Sequence, residues 1–307
     1  MKNSLIIFTH DLRLNDQAVI DHVKARNLDF IPVYLDFFEL LPSQEFFPLN
    51  VSKRKFMLNA VEHLKRELYL ADKELVVIEE NYREALIDLI RRHRCERIFI
   101  ANQQNSPLTR LISSLELTLA KHNIFIYYFD NNYLLDLEEL PIPLKKIPKD
   151  FKNFTSKIKG AALRQIKDEH VVPDVLLDIL EEIKNDEIPV LHPYKTRLNN
   201  HFSKFLPYLS SGLISPAQLL ELIKNNLGVS PYFDKKAIKL FTRQLVYLDF
   251  VRLQMRDRDR DVFFEDELNH TQIRDIEKWI EGKTDNDLIN AIMHKLRDTN
   301  MISLTSR

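Results

Sequence analysis

LIIFTHDLRLNDQAVIDHVKARNLDFIPVYLD, residues 5–36, decides the fold of the first half of the chain. Its two ends, Leu5–Phe8 and Phe30–Leu35, are short apolar runs without polar alternation. That is the pattern of strands buried on both faces. Between them residues 17–26 carry a helical pattern, with Asp16 at the N-cap position. The alternation then repeats. Leu75–Ile78, Arg97–Ala101 and Ile124–Phe129 read as further strands, and 53–70, 82–93 and 107–121 read as helices. In 53–70, Phe56, Leu58, Val61, Leu64 and Leu68 make one apolar face. Ser106 is placed to cap the last helix, with Pro107 in its first turn. Such alternation implies crossover connections and a parallel sheet. Residues 1–130 therefore read as a doubly wound, Rossmann-like α/β domain.

Beyond residue 130 no strand pattern remains. Residues 131–195 contain prolines at 141, 143, 148, 173, 189 and 193 and one helical stretch near 174–184. They read as a connector lying over the surface. From 196 to 307 the pattern is helical. Ser215 and Pro216 form an N-cap and first helical position for AQLLELIKNNL, which Gly228 closes. Lys236–Gln254 is a long helix with Leu240, Phe241, Leu245, Leu248 and Val251 on its apolar side, and a last helix spans 285–299. The second domain is expected to be all-α.

Composition removes several function classes. A net charge of −1 announces no nucleic-acid partner, so a DNA-binding face must be a local patch. The single cysteine, Cys95, excludes a disulfide framework and a cysteine zinc site. Four glycines, at 160, 212, 228 and 282, leave none for a GxGxxG or Walker loop. The histidines are scattered, and no metal-ligand spacing or Gly-x-Ser-x-Gly elbow occurs. No apolar run reaches the roughly 18 residues of a membrane span, and no signal peptide opens the sequence. The expectation is a cytoplasmic protein.

Ligands of doubly wound sheets sit outside the carboxyl ends of the strands. Those ends carry Thr9, His10, Asp11, Asp36, Asn102, Gln103 and Asp130. The cluster reads either as a small-molecule pocket or as local capping, with Asp11 or Asp16 paired to Arg13. Two charge runs, RRHR at 91–94 and MRDRDRD at 255–261, read as phosphate contacts or as solvated faces.

Three segments carry a resemblance: DLRLND at 11–16, HPYKTRLNNHFSKFLPYLSSGLISP at 192–216 and QLVYLDFVR at 244–252. Together they resemble the cryptochrome/photolyase family, and its DASH-type members most of all. LPIPLKKIPKDFKNFTSKIK at 140–159 is similar to the DASH segment before the helical domain, and RKFMLNAVEHLKREL at 54–68 resembles the family's long helix. The resemblance implies an antenna-carrying α/β module followed by a helical FAD-binding domain. It implies light-driven repair of cyclobutane pyrimidine dimers in DNA and a folate-type antenna chromophore. It assigns Tyr194, Ser203 and Lys204 to the FAD phosphates, with Arg252 and Arg307 as further cofactor-binding residues. It assigns Gln244 and Tyr247 to the lesion, and Trp279, in IEKWIEGKTDNDL, to electron supply. Without the resemblance, Ser203 reads as a helix cap, Tyr247 as a core aromatic and Trp279 as a half-buried helix aromatic.

The sequence also departs from the family. Gln244 replaces a Glu, Tyr247 a Trp, Leu248 an Arg, Leu206 a Ser, Leu304 an Asn and Thr305 an Arg. The family continues past the position of residue 307 with segments that hold the isoalloxazine. A part-built flavin site with weak or lost repair is therefore expected. A partner or second copy covering the helical face is also expected. The alternatives are a non-catalytic nucleotide- or pigment-binding module and an interaction protein. Stoichiometric flavin separates the first reading from the other two.

Overall fold

The structure, a computed structural model, describes residues 3–36, 51–102, 106–166, 173–185, 198, 201–226, 233–258 and 270–299. Five strands form one sheet: β1 (Asn3–Phe8), β2 (Phe30–Leu35), β3 (Val76–Ile78), β4 (Cys95–Ala101) and β5 (Phe125–Phe129). Their order is β3-β2-β1-β4-β5 and every pair is parallel. β1 is central, with Leu5 opposite Ile31 on one side and Ile98 on the other. Its side chains from Ser4 to Phe8 are buried, as continuous apolarity requires of a strand covered on both faces. Among the described residues four helices connect these strands: α1 (Ala18–Ala25), α2 (Val51–Leu70), α3 (Tyr82–His93) and α4 (Ser106–Ala120). This is the expected Rossmann-like α/β arrangement.

Among the described residues seven α-helices follow: α5 (Phe151–Lys157), α6 (Asp174–Asn185), α7 (Phe202–Ser211), α8 (Pro216–Asn225), α9 (Lys235–Arg258), α10 (His270–Glu281) and α11 (Asp287–Thr299). No strand occurs among the described residues after 129, so the second half is helical. The α8 cap is a full capping box. Ser215 Oγ accepts from Gln218 N, and Gln218 Oε1 accepts from Ser215 N, at 3.0 and 2.9 Å. The helix ends at Asn225, and Gly228 lies outside the described residues.

Three expectations are corrected. Asp16 is not the N-cap of α1. It stands in the left-handed region at φ 47, its carboxylate is paired with Arg164, and Gln17 caps the helix by accepting from Ile20 N. β5 is not buried on both faces. It ends the sheet, and Phe125, Tyr127 and Tyr128 are exposed. The segment 131–195 does not simply lie over the surface. Tyr133, Leu134, Leu135, Phe154, Leu176, Ile179, Leu180 and Ile183 are buried in the second hydrophobic core, with Phe205, Phe241 and Leu245 of the helical half. The prolines of the connector mask a discontinuous apolar pattern that has no fixed period. The first core lies on the sheet, from Leu5 to Ile126.

Candidate functional site: the domain seam and the helical face

The DLRLND loop leaves β1 at the point where strand order reverses, between β1 and β4. It makes a seam between the two halves. Arg13 is the centre. Its guanidinium donates to Asn15 O (3.1 Å), Asp16 O (2.8 Å), Asn132 Oδ1 (2.6 Å) and Gly212 O (2.9 Å). Burial lowers its pKa to about 10, so it stays charged at neutral pH. Leu12 N donates to Ser211 O at 3.2 Å, and Asn132 Nδ2 donates to His10 O at 3.0 Å. Asp11 is fully enclosed. Its carboxylate accepts from Thr9 N and Gln17 Nε2, at 3.1 and 2.9 Å, and desolvation raises its pKa. Neither Asp11 nor Asp16 pairs its carboxylate with Arg13, contrary to the local-pairing reading. Asp16 Oδ1 takes Arg164 Nη2 at 2.7 Å, which ties the loop to the connector.

Gly212 makes the close approach across the seam. It ends α7 at φ 75, and a Cβ built there would lie 2.4 Å from both Asp11 Cα and His10 O. Only a residue without a side chain lets α7 meet the loop.

Beside this seam is a cavity of about 250 Å³. Thr9, His10 and Asn102 line it from the strand ends, Asn131 and Asn132 from the segment after β5, and Ser210, Arg252 and Met255 from α7 and α9. Part of the polar cluster at the strand ends therefore does open on a pocket. The rest is locally engaged: Asp130 Oδ1 accepts from Asn102 Nδ2 (2.5 Å) and Arg256 Nη1 (2.7 Å). Gln103 lies outside the described residues. Asn131 is buried, and its Nδ2 makes no close hydrogen bond.

The site residues expected from the sequence divide. Gln244, Tyr247 and Arg252 share α9. Ser203 and Lys204 are in the first turn of α7, which packs on α9 through Phe202–Phe241 and Phe205–Phe241 ring contacts of 5.1 and 5.7 Å. His201, not Ser203, occupies the N-cap, so the capping reading of Ser203 fails. Lys204 Nζ pairs with Glu182 of α6. Gln244 Oε1 is enclosed without a hydrogen-bond donor. Tyr247 is 48% exposed and meets Phe151 of α5 edge-on at 5.0 Å. Arg252 faces the seam: it donates to Asn132 O at 2.5 Å, lines the cavity and stands 3.6 Å from Asp249. Trp279 is on α10, which packs against α11, and is 46% exposed. Tyr194 and Arg307 lie outside the described residues, as do Leu304 and Thr305.

Asp249 is a buried tie at the seam that sequence reasoning gave no role. Its Oδ2 accepts from Leu134 N and Leu135 N, both at 2.8 Å, so it ties α9 to the connector. Burial pushes its pKa up to about 7, against the pull of Arg252 and the two N–H groups. Asn131, Asn132 and Gln17 were missed too. The signal for the asparagines was their place directly after a strand end. Gln17 had no signal beyond its distance from Asp11.

Among the described residues no group of three His, Cys, Asp or Glu side chains can hold a metal ion. No helix there is long and apolar enough to cross a membrane.

A parallel five-stranded sheet, a second half that is helical among the described residues and a cavity at the switch point between them define a two-part architecture. The DNA photolyase family model matches residues 4–173, more than half of the chain, and the chain belongs to that family. A curated Cryptochrome DASH from Idiomarina loihiensis is 19% identical over an alignment covering 99% of this chain and 76% of the relative. The solved cryptochrome of Synechocystis sp. PCC6803 superposes with a TM-score of 0.77 at 17% identity, covering 100% of this chain and 73% of the other. An archaeal photolyase from Sulfolobus tokodaii, solved with two FAD molecules, superposes at 0.65 with 17% identity over 99% of this chain and 73% of that one.

Proposed function

We propose that the chain is a cryptochrome/photolyase-type flavoprotein whose helical half binds FAD and whose ancestral substrate is DNA carrying cyclobutane pyrimidine dimers. The observation that carries this reading is Gln244 Oε1. An enclosed carbonyl oxygen without a donor costs about 1–3 kcal/mol, and it sits on the helix whose sequence resembles the family's lesion-facing segment. A ligand N–H or O–H brought to Gln244 removes that cost. Residues of α7 and α9 supply further groups for such ligands. Ser203 and the first-turn N–H groups of α7 suit a phosphate. Lys204 adds its charge when Glu182 gives way. Tyr247 presents a half-exposed ring on which a base can stack. Reduced flavin, when bound, supplies single-electron donation to the dimer. Leu248 packs against the second core where the family has an Arg, so that residue's cation is lost to the lesion, and repair is weak.

The seam cavity supports a second, antenna-type ligand. Asn131 Nδ2 is a buried donor that makes no close hydrogen bond, its pull on the Asp11 carboxylate being its one protein contact of that kind, and Arg252 brings a cation. An acceptor-rich planar ring such as a folate pterin matches that donor set. The Sulfolobus tokodaii photolyase, with its two FAD molecules, is described as implying a novel light-harvesting cofactor.

The test is the visible spectrum of the purified full chain, with flavin quantified after denaturation, then a dimer-repair assay in blue light and in darkness. Flavin near one per chain with slow, light-dependent repair supports the proposal. A colourless protein that takes up no added FAD refutes it and leaves a non-catalytic module. Bound flavin with no repair at all refutes the lyase part alone.

A further inference from the structure

β5 is the last strand of the sheet, and its side chains alternate between the two faces. In the parallel register Arg97 stands beside Phe125, and Phe99 beside Tyr127. These four therefore share one face. On that face α1 packs over β4 and meets β5 through His22, whose ring lies 5.3 Å from Phe99 and 4.7 Å from Phe129. Phe125 and Tyr127 remain 56% and 46% exposed. Two cations frame them. Arg26 Nη1 lies 2.9 Å from His22 Nδ1. The charges acting on His22 are those of Arg26 and Arg97, and both lower its pKa after burial does. Among the described residues neither arginine pairs with a carboxylate. Two acids of the sheet and its covering helix occupy the opposite face, where Glu96 alternates with Arg97 and Glu116 accepts from Tyr128 OH at 3.1 Å, while Asp21 is the acid carried by α1 itself.

We propose that this face of β4–β5 is a binding surface for single-stranded nucleic acid, distinct from the helical face that holds Gln244 and Tyr247. Exposed aromatic rings two residues apart on a strand, about 6.6 Å along it, give two bases a platform. Flanking arginines meet the phosphates. That pairing of stacking rings with cations is how single strands are held without sequence preference. Segregation of charge selects the ligand. A polyanion is attracted to the arginine face and repelled from the face of Glu96 and Glu116. A protein edge strand would need no such charge. The surface is independent of flavin and of light.

The experiment is fluorescence anisotropy of a labelled oligothymidine of about 15 nucleotides, in darkness, with the full chain at low salt. Thermal midpoints control for folding. The variants are Tyr127→Ser, Arg97→Glu with Arg26→Glu, Tyr247→Ala on the helical face, and Tyr69→Ser as a control. Tyr127→Ser should weaken binding about 5-fold or more, the stacking contribution of one base. The double charge reversal should weaken it further and flatten the salt dependence. Tyr247→Ala reports the helical face, and any loss it brings should be smaller than that of Tyr127→Ser; Tyr69→Ser, an exposed ring on α2 away from both faces, should leave the affinity in place. The proposal is overturned if the wild type does not bind, or if the sheet-face variants bind as the wild type does. Loss of binding with Tyr247→Ala alone also overturns it, while leaving the helical-face reading intact. A concentration-dependent dimer abolished by Tyr127→Ser, with no oligonucleotide bound, makes the face a self-interface and overturns it as well.

Discussion

Replacing Gly212 with Ala should destabilise the protein far more than the same change at Gly160. Both glycines have positive φ, 75 and 84, so each Ala carries a left-handed backbone cost of about 1–2 kcal/mol. At Gly160 nothing lies within 4 Å of the added Cβ, and that cost is the whole effect. At Gly212 the methyl meets backbone, with Asp11 Cα and His10 O both at 2.4 Å. Backbone cannot rotate away as a side chain can, so α7 or the loop must shift. A forced shift in a packed interior costs about 1–3 kcal/mol more. Arg13 Nη1 donates to the Gly212 carbonyl at 2.9 Å, and displacement weakens that bond too. The expected losses are about 3–5 kcal/mol for Gly212→Ala and about 1–2 kcal/mol for Gly160→Ala. Urea titration of the wild type and both variants, monitored by tryptophan fluorescence and by circular dichroism, measures the difference. Equal losses at the two sites, or a Gly212→Ala loss under 1 kcal/mol, would refute the close approach across the seam.

Asp249 predicts a pH dependence. Its folded pKa is about 7, raised by burial above the ordinary carboxylate value of 3.8. A group raised in the folded state adds stability that is complete below the unfolded value and is lost as pH rises through the folded one. The stability of the wild type relative to Asp249→Asn should therefore fall between about pH 4 and pH 7, which paired urea midpoints at pH 5 and pH 8 will read. No change in that difference would place the proton elsewhere. Gln244→Leu should leave the flavin-free chain as stable or about 1 kcal/mol more stable, because it removes an orphaned acceptor. It should also weaken binding of a dimer-containing oligonucleotide, so equilibrium dialysis and thermal melts must move in opposite directions. Asp16→Asn should cost about 1 kcal/mol or more through the Arg164 pair, measured by the same melts, since its Oδ1 holds a partly buried guanidinium at 2.7 Å.

The α/β half was legible because its evidence is periodic. Continuous apolar runs at Leu5–Phe8 and Phe30–Leu35, separated by a helical pattern, leave few alternatives. β5 was misread for an instructive reason. Phe125, Tyr127 and Tyr128 are apolar or aromatic, but the sequence does not tell which strand ends a sheet. The buried connector was hidden because Tyr133, Phe154 and Leu176 approach one core from segments without a common period. Asp249 lies inside QLVYLDFVR, a segment that carries the resemblance, but its partners Leu134 N and Leu135 N are backbone groups 115 and 114 residues away. Arg252 shows the opposite limit. Its side-chain type suits a phosphate, and only geometry puts it against Asn132 O at the seam.

The span of the seam has a consequence for biosynthesis. Arg13 and Gly212 are 199 residues apart. At about 5–20 residues per second, a ribosome needs roughly 10–40 s to travel between them. During that interval the sheet can assemble, since all five strands precede residue 130, but the guanidinium at its edge lacks the α7 carbonyl that completes its shell. The nascent α/β half thus waits with a charged, half-satisfied rim, and docking of the helical half comes late. Chaperone contact and premature proteolysis should concentrate on that rim, and a chain released before Gly212 should retain a folded sheet with an open edge.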